Sequence, residues 1–205
     1  KQFKNLASPE IIIHSLNFQE VIDQKYYIVS KIVDIINSLQ YGGADFVIAA
    51  CNSLHLIYDE VIQKKISIPW ISIVNTTVDK IVPMNLHRIG LLGTSFTMQG
   101  KFYQKYARQQ DIKLIVPPVK EQVVIDRIIY NELCRGIVKS KSRQILLSFI
   151  NSLVINSDIE GIILGCTELP NILTQNLIDI PVFDTTQLHV EKAFRLSLED
   201  EIVST

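Results

Sequence analysis

Ala49-Ala50-Cys51-Asn52-Ser53-Leu54-His55 and Leu164-Gly165-Cys166-Thr167-Glu168-Leu169-Pro170 share one local design. In each, an apolar run ends on a cysteine, short polar side chains follow, and a helix-like run begins. A short apolar run bounded in this way reads as a buried strand, and its sequel as the strand-to-helix turn of a parallel α/β unit. Two copies of the design suggest two half-sites that face one another.

The rest of the chain carries the same alternation. Ile11–Leu16 reads as a short buried strand. Ile28, Ile32, Ile35, Ile36 and Leu39 give a helix over Gln24–Leu39, stopped by Gly42-Gly43. Phe46–Ala50 and Pro69–Val74 read as strands, Leu54–Gln63 and Thr76–Val82 as helices. The series then restarts with strand Arg88–Gly93, helix Met98–Gln109 and strand Lys113–Val116. Glu121–Cys134 and Arg143–Ile155 read as helices, Gly161–Leu164 as a strand, Leu169–Gln175 as a short helix and Pro181–Phe183 as a strand. Asp184 caps a last helix to Leu198. Strands and helices in alternation imply parallel sheets covered on both faces. The fold class is therefore α/β, in two small lobes: residues 1–85 with 185–205, and residues 86–184.

The chain has 205 residues, a net charge of −1, and 47% apolar against 20% charged residues. It has no basic excess to support a nucleic-acid partner. No apolar run approaches the roughly 18 residues of a membrane span. Three cysteines without framework spacing fit a reducing, cytoplasmic setting better than a secreted one. Lys1 is not an initiator, and an N-terminal segment is expected ahead of the first strand-like run.

Ligands of parallel α/β sheets sit beyond the carboxyl ends of the strands, where Cys51 and Cys166 both fall. A helix N-terminus at that place is expected to favour the thiolate and to hold a carboxylate through its free N–H groups. Asn52, Ser53 and Thr167 add side-chain donors. Proton removal beside a carboxylate needs a base near the carbon and stabilisation of the carbanion. Racemisation needs an acid on the opposite face, and one thiolate with one thiol meets both demands. The competing reading is that each cysteine is a small core hydrophobe; their matched settings speak against it. Cys134, late in its helix, reads as packing. His55, four residues on from Cys51, has three readings: partner of the cysteine, metal ligand, or helix residue bonded to solvent. Zinc would need a fourth ligand beyond Cys51, His55 and Cys166. Glu168 either faces the site or favours a helix N-terminus by its charge.

These strings resemble the cofactor-independent aspartate/glutamate racemase superfamily. Cys51-Asn52-Ser53 stands where the family usually has Cys-Asn-Thr, and Gly165-Cys166-Thr167-Glu168 is similar to its second cysteine motif. Arg88–Thr94, continued by Phe96-Thr97-Met98 and Phe102-Tyr103, is similar to the start of the family's second lobe. Pro181–Thr185 with His189 is similar to its end. The resemblance covers nearly the whole chain. It implies two pseudo-symmetric lobes with the active site in the cleft between them, and two-base racemisation of an amino acid without pyridoxal phosphate, metal or nucleotide. It also implies a homodimer. By position it makes Cys51 and Cys166 the acid and base. Asn52, Ser53, Thr94, Thr97, Thr167 and Glu168 become the substrate-binding residues, Thr94 and Thr97 being equally readable as turn or cap hydroxyls.

The chain departs from the family pattern in three places. Ser53 replaces the usual threonine and keeps the hydroxyl. The glycine-rich opening strand–turn is absent. Asn131-Glu132-Leu133-Cys134-Arg135 stands where aspartate-specific members tend to carry a lysine, so the broad-specificity branch is closer, with Arg135 either a carboxylate ligand or a solvated charge. Related carbanion chemistry such as hydantoin racemisation, and a non-catalytic amino-acid-binding regulator, are the alternatives.

Overall fold

The computed structural model of the chain describes residues 8–17, 19 and 25–198. Helix α1 (Lys25–Tyr41) turns Ile28, Val29, Ile32 and Ile36 inward at 3–4 spacing. It stops where Gly43 adopts a φ of +97°, and the Ala44 N–H closes on Leu39 O at 3.0 Å. Strands β1 (Val47–Ile48) and β2 (Trp70–Ile71) form a two-stranded parallel pair. Between them lie a 3₁₀ turn, Ser53–Ile57, and the short helix α2 (Tyr58–Ile62). Val47, Leu54, Ile57, Val61 and Trp70 pack on α1 to make this unit's core.

The strand expected over Ile11–Leu16 does not form. The two-stranded sheet offers residues 11–16 no pairing, so the apolar trio Ile11, Ile12 and Ile13 stands 77%, 51% and 83% exposed. Apolar character without a ladder partner does not make a strand. The strand read over Pro69–Val74 is also shorter than expected. Ser72 takes extended backbone angles and its Oγ accepts from the Asn75 N–H, which starts helix α3 (Ile73–Ile81) within the apolar run.

The second sheet has four parallel strands in the order β4-β3-β5-β6: β3 Arg88–Gly93, β4 Lys113–Ile115, β5 Gly161–Gly165 and β6 Val182–Asp184. The helix expected after β3 is two: α4 (Ser95–Gln99) and α5 (Lys101–Gln109). Gly100 separates them in extended conformation, where a Cβ would meet Phe96 O at 2.5 Å. Then come α6 (Val119–Asn131), a 3₁₀ turn at Leu133–Arg135, and α7 (Ser140–Ser157). The helix expected at Leu169–Gln175 is instead two 3₁₀ turns, Leu169–Asn171 and Gln175–Leu177. Helix α8 (Thr185–Leu196) is capped as expected, Asp184 Oδ1 accepting from the N–H groups of Thr186 and Gln187 at 2.9 and 3.1 Å.

Alternate residues of the central strands face opposite ways. Ile89, Leu91, Ile163 and Phe183 meet α3, α5 and Leu188 of α8. Leu92, Ile162 and Leu164 meet Met98, Ile125, Ile129, Leu146 and Ile150 on the other side. The sheet is thus buried on both faces, which accounts for its near-continuous apolar strands. Among the described residues no helix is long and apolar enough to cross a membrane.

Candidate active site

The carboxyl ends of three strands supply the polar side chains that the sequence singled out, and a fourth adds one that it did not. After β1 come Cys51, Asn52 and Ser53, and after β3 Thr94 and Thr97. After β5 come Cys166, Thr167 and Glu168, and after β6 Thr185. This is where open parallel sheets bind ligands.

Three hydroxyls from the first two turns meet. Ser53 Oγ lies 3.1 Å from Thr94 Oγ1 and 3.4 Å from Thr97 Oγ1, and the two threonine oxygens are 3.4 Å apart. Thr94 is also the N-cap of α4, its hydroxyl accepting from the Thr97 N–H. The backbone must be bare for this approach. Gly93 and Gly165 pair across β3 and β5. A Cβ on Gly93 would lie 2.8 Å from Gly165 O and 3.1 Å from Thr97 Cβ, and one on Gly165 would lie 2.9 Å from Leu91 Cδ1.

Behind the cysteines runs a buried chain of hydrogen bonds. Tyr103 O–H donates to Asn52 Oδ1 at 2.6 Å, Asn52 Nδ2 donates to Thr185 Oγ1 at 3.0 Å, and Thr185 O–H donates to Leu164 O at 2.9 Å. Asn52, Tyr103 and Thr185 are almost completely buried. Sequence reasoning gave Tyr103 and Thr185 no role. Their only signal is that both lie in stretches that resemble the racemase pattern.

Both turn cysteines are partly exposed free thiols. The expected low thiol pKa is overturned. Burial pushes Cys51 up, against the Leu54 and Ser53 amides that hydrogen-bond it. Burial pushes Cys166 up to about 12. The Glu168 amide opposes this, and the negative charges of Cys134, Glu168 and Cys51 add to it. The local structure gives the reason. Each cysteine is followed by a short 3₁₀ turn, not an α-helix, and so by little macrodipole. Burial wins.

His55 takes none of its three expected roles. Its Nε2 accepts from the Ile73 N–H at 3.1 Å, and its Nδ1 lies 3.0 Å from Cys51 O. Because an amide can only donate, Nε2 is the acceptor and Nδ1–H donates to the carbonyl. Both nitrogens are used, and burial lowers the imidazole pKa to about 3. His189 is buried alongside, 6.4 Å away between ring centroids, with Nε2 on Ile71 O. Cys134 is exposed rather than packed, because α6 ends at Asn131 and the following turn carries it to the surface. Arg135 on the same turn is exposed as well. Tyr130, which sequence reasoning passed over, is half-buried beside Thr94. Burial, with Asp126 second, pushes its phenol up to about 12, against a hydrogen bond from Thr94 and with Cys166 a further neighbour. Among the described residues no group of three His, Cys, Asp or Glu side chains is placed to hold a metal ion.

The family model for Asp/Glu/Hydantoin racemase matches residues 5–193. The broad specificity amino-acid racemase RacX of Bacillus subtilis (strain 168) is 29% identical over 157 residues, which are 76% of this chain and 66% of RacX. The chain thus spans about two thirds of that relative's length. The crystal structure of an aspartate racemase homologue from Pyrococcus horikoshii OT3 superposes with a TM-score of 0.85 at 31% identity, covering 97% of this chain and 88% of that one. A glutamate racemase from Francisella tularensis in complex with D-glutamate shares the fold, with a TM-score of 0.67 at 19% identity over 89% of this chain and 68% of that one. With the model matching nearly end to end over a doubly covered parallel sheet and two cysteine turns, the chain belongs to the Asp/Glu/hydantoin racemase family.

Proposed function

We propose that the chain is a pyridoxal-phosphate-independent racemase of aspartate, glutamate or a related amino acid, with Cys51 and Cys166 as acid and base on opposite faces of the α carbon. The observation that carries the reading is the pair of matched turns. Two thiols at the carboxyl ends of β1 and β5 are close enough for charge on Cys51 to raise Cys166. In the forward direction a Cys51 thiolate takes the α proton, and the C–H electron pair passes into the substrate carboxylate. The Cys166 thiol then returns a proton from the opposite face and is left as the thiolate, ready for the reverse turnover.

The substrate lies between the two lobes, residues 1–85 with 185–205 and residues 86–184. Ser53, Thr94, Thr97, Thr167 and Glu168 hold its carboxylate and amine. Asn52 contributes the amide hydrogen for which the described residues show no second protein acceptor. No step in this chemistry calls for a cofactor or metal. Three free thiols suit a cytoplasmic protein, and resemblance to the family favours a homodimer.

The test is to incubate the protein with each enantiomer of aspartate and glutamate in deuterium oxide and follow the α-proton signal by NMR, with Cys51→Ser and Cys166→Ser alongside. Exchange with inversion in the wild type, and loss of inversion in both variants, supports the reading. Inversion that survives either substitution overturns the two-thiol mechanism. No exchange with any of the four directs attention to another carbon acid or to a binding role.

A further inference from the structure

We propose that Thr185 is a positioning residue that sets how the two cysteine turns face each other, an inference that rests on the two-thiol reading above. Asn52 adjoins Cys51, and Leu164 lies two residues before Cys166. The Thr185 hydroxyl bonds both, accepting from Asn52 Nδ2 at 3.0 Å and donating to Leu164 O at 2.9 Å. It is fully buried, and it stands at the first turn of α8, directly after β6.

The geometry leaves the bridge little freedom. A hydroxyl has one hydrogen, and here it goes to the Leu164 carbonyl, so Asn52 must present its NH₂ to Thr185 and its Oδ1 to Tyr103. Tyr103 O–H meets that Oδ1 at 2.6 Å. Every donor in the series Tyr103, Asn52, Thr185 points the same way and ends on the backbone of β5. Aligned buried bonds polarise one another, and none of the groups has water to fall back on. The β-branched threonine is also stiff at χ1, which makes it a spacer of fixed length between a turn of the two-stranded sheet and a strand of the four-stranded one. A two-base racemase needs such a spacer, because inversion depends on both thiols reaching one carbon.

The test compares wild type, Thr185→Val and Thr185→Ser. Valine keeps the shape and removes both bonds, whereas serine keeps the hydroxyl. Far-ultraviolet circular dichroism and thermal melts first establish that each variant is folded. The readout is the ratio of inversion to α-deuterium exchange with retained configuration, measured on the enantiomers of aspartate and glutamate. Displacing one turn should cost inversion at least tenfold in Thr185→Val and retained exchange far less, with Thr185→Ser within about threefold of wild type. An unchanged ratio in Thr185→Val overturns the proposal, and so does a loss that Thr185→Ser fails to rescue.

If the wild type exchanges none of the four substrates, the racemase reading fails for them and the bridge is judged separately. Cys51 and Cys166 are then cross-linked with bis-methanethiosulfonates of graded length in a Cys134→Ser background. One preferred span in wild type and Thr185→Ser, broadened in Thr185→Val, supports the spacer. The same span in all three overturns it.

Discussion

His55 Nδ1 lies 3.0 Å from the carbonyl oxygen of Cys51, so the imidazole holds the backbone of the cysteine turn and leaves the thiol alone. Its other nitrogen takes the Ile73 N–H at the start of α3. The ring is 1% exposed, and burial lowers its pKa from 6.5 to about 3. The unfolded chain therefore binds a proton that the folded chain refuses across that window. Stability is fully present above pH 6.5 and falls as the pH drops toward 3, by roughly 1.4 kcal/mol per pH unit for this one group. His189, also lowered by burial, steepens the loss. Urea unfolding of wild type and His55→Asn at pH 7, 6 and 5 checks this. The variant should start less stable, by about 1–3 kcal/mol for each backbone group left unpaired, yet lose less on acidification. An equal slope in the two proteins would count against the assignment.

The doubly covered sheet was legible in the sequence because its strands are apolar on both faces, and β3 appears with the bounds that its pattern predicts. The cysteine turns were legible for a different reason, as each marks the end of such a strand. What could not be read was tertiary. Ile11–Ile13 has the composition of a strand but no ladder to join. Ser72 starts a helix inside an apolar run by a cap that competes with the strand signal. The thiol pKa depends on burial and on whether the turn becomes an α-helix or a 3₁₀ turn, and local spacing encodes neither. Thr185 and Tyr103 matter through partners far along the chain, which no periodicity reports.

The two-thiol mechanism proposed above predicts a pH dependence for racemisation. Cys51 is hydrogen-bonded by two amides, from Leu54 and Ser53, while Cys166 has one, from Glu168, and faces the negative charges of Cys134 and Glu168. Cys51 is therefore the thiol that ionises first, and it does so above its ordinary value of 9.0. Turnover needs one thiolate, so kcat/KM should climb about tenfold per pH unit from pH 7 toward 9. A plateau already at pH 7 would mean that the free enzyme already carries the thiolate, against the burial that raises both thiols.

The hydroxyl triangle makes a prediction about binding. Ser53 is the partly exposed member, whereas Thr94 and Thr97 are buried. On the proposed substrate-binding role, Ser53→Ala removes one neutral donor and should raise KM about three- to tenfold with kcat changed less, as expected for one hydrogen bond of about 1 kcal/mol. Ser53→Thr restores the hydroxyl and should stay within about twofold of wild type. A purely structural Ser53 would show instead as lower thermal stability with KM unmoved.

Thiol reactivity in the ligand-free protein should follow exposure and run opposite to the catalytic roles proposed above. Cys134 is exposed on the turn after α6, whereas Cys51 and Cys166 are partly buried with raised pKa values. Attack on an alkylating reagent requires both thiolate and access. Iodoacetamide at pH 8, with peptide mapping over time, should label Cys134 first, Cys51 next and Cys166 last. Substrate amino acid should slow the Cys51 label and leave that of Cys134 unchanged. Cys166 reacting before Cys134 would show that the free protein holds its second thiol as a thiolate, against the burial that surrounds it.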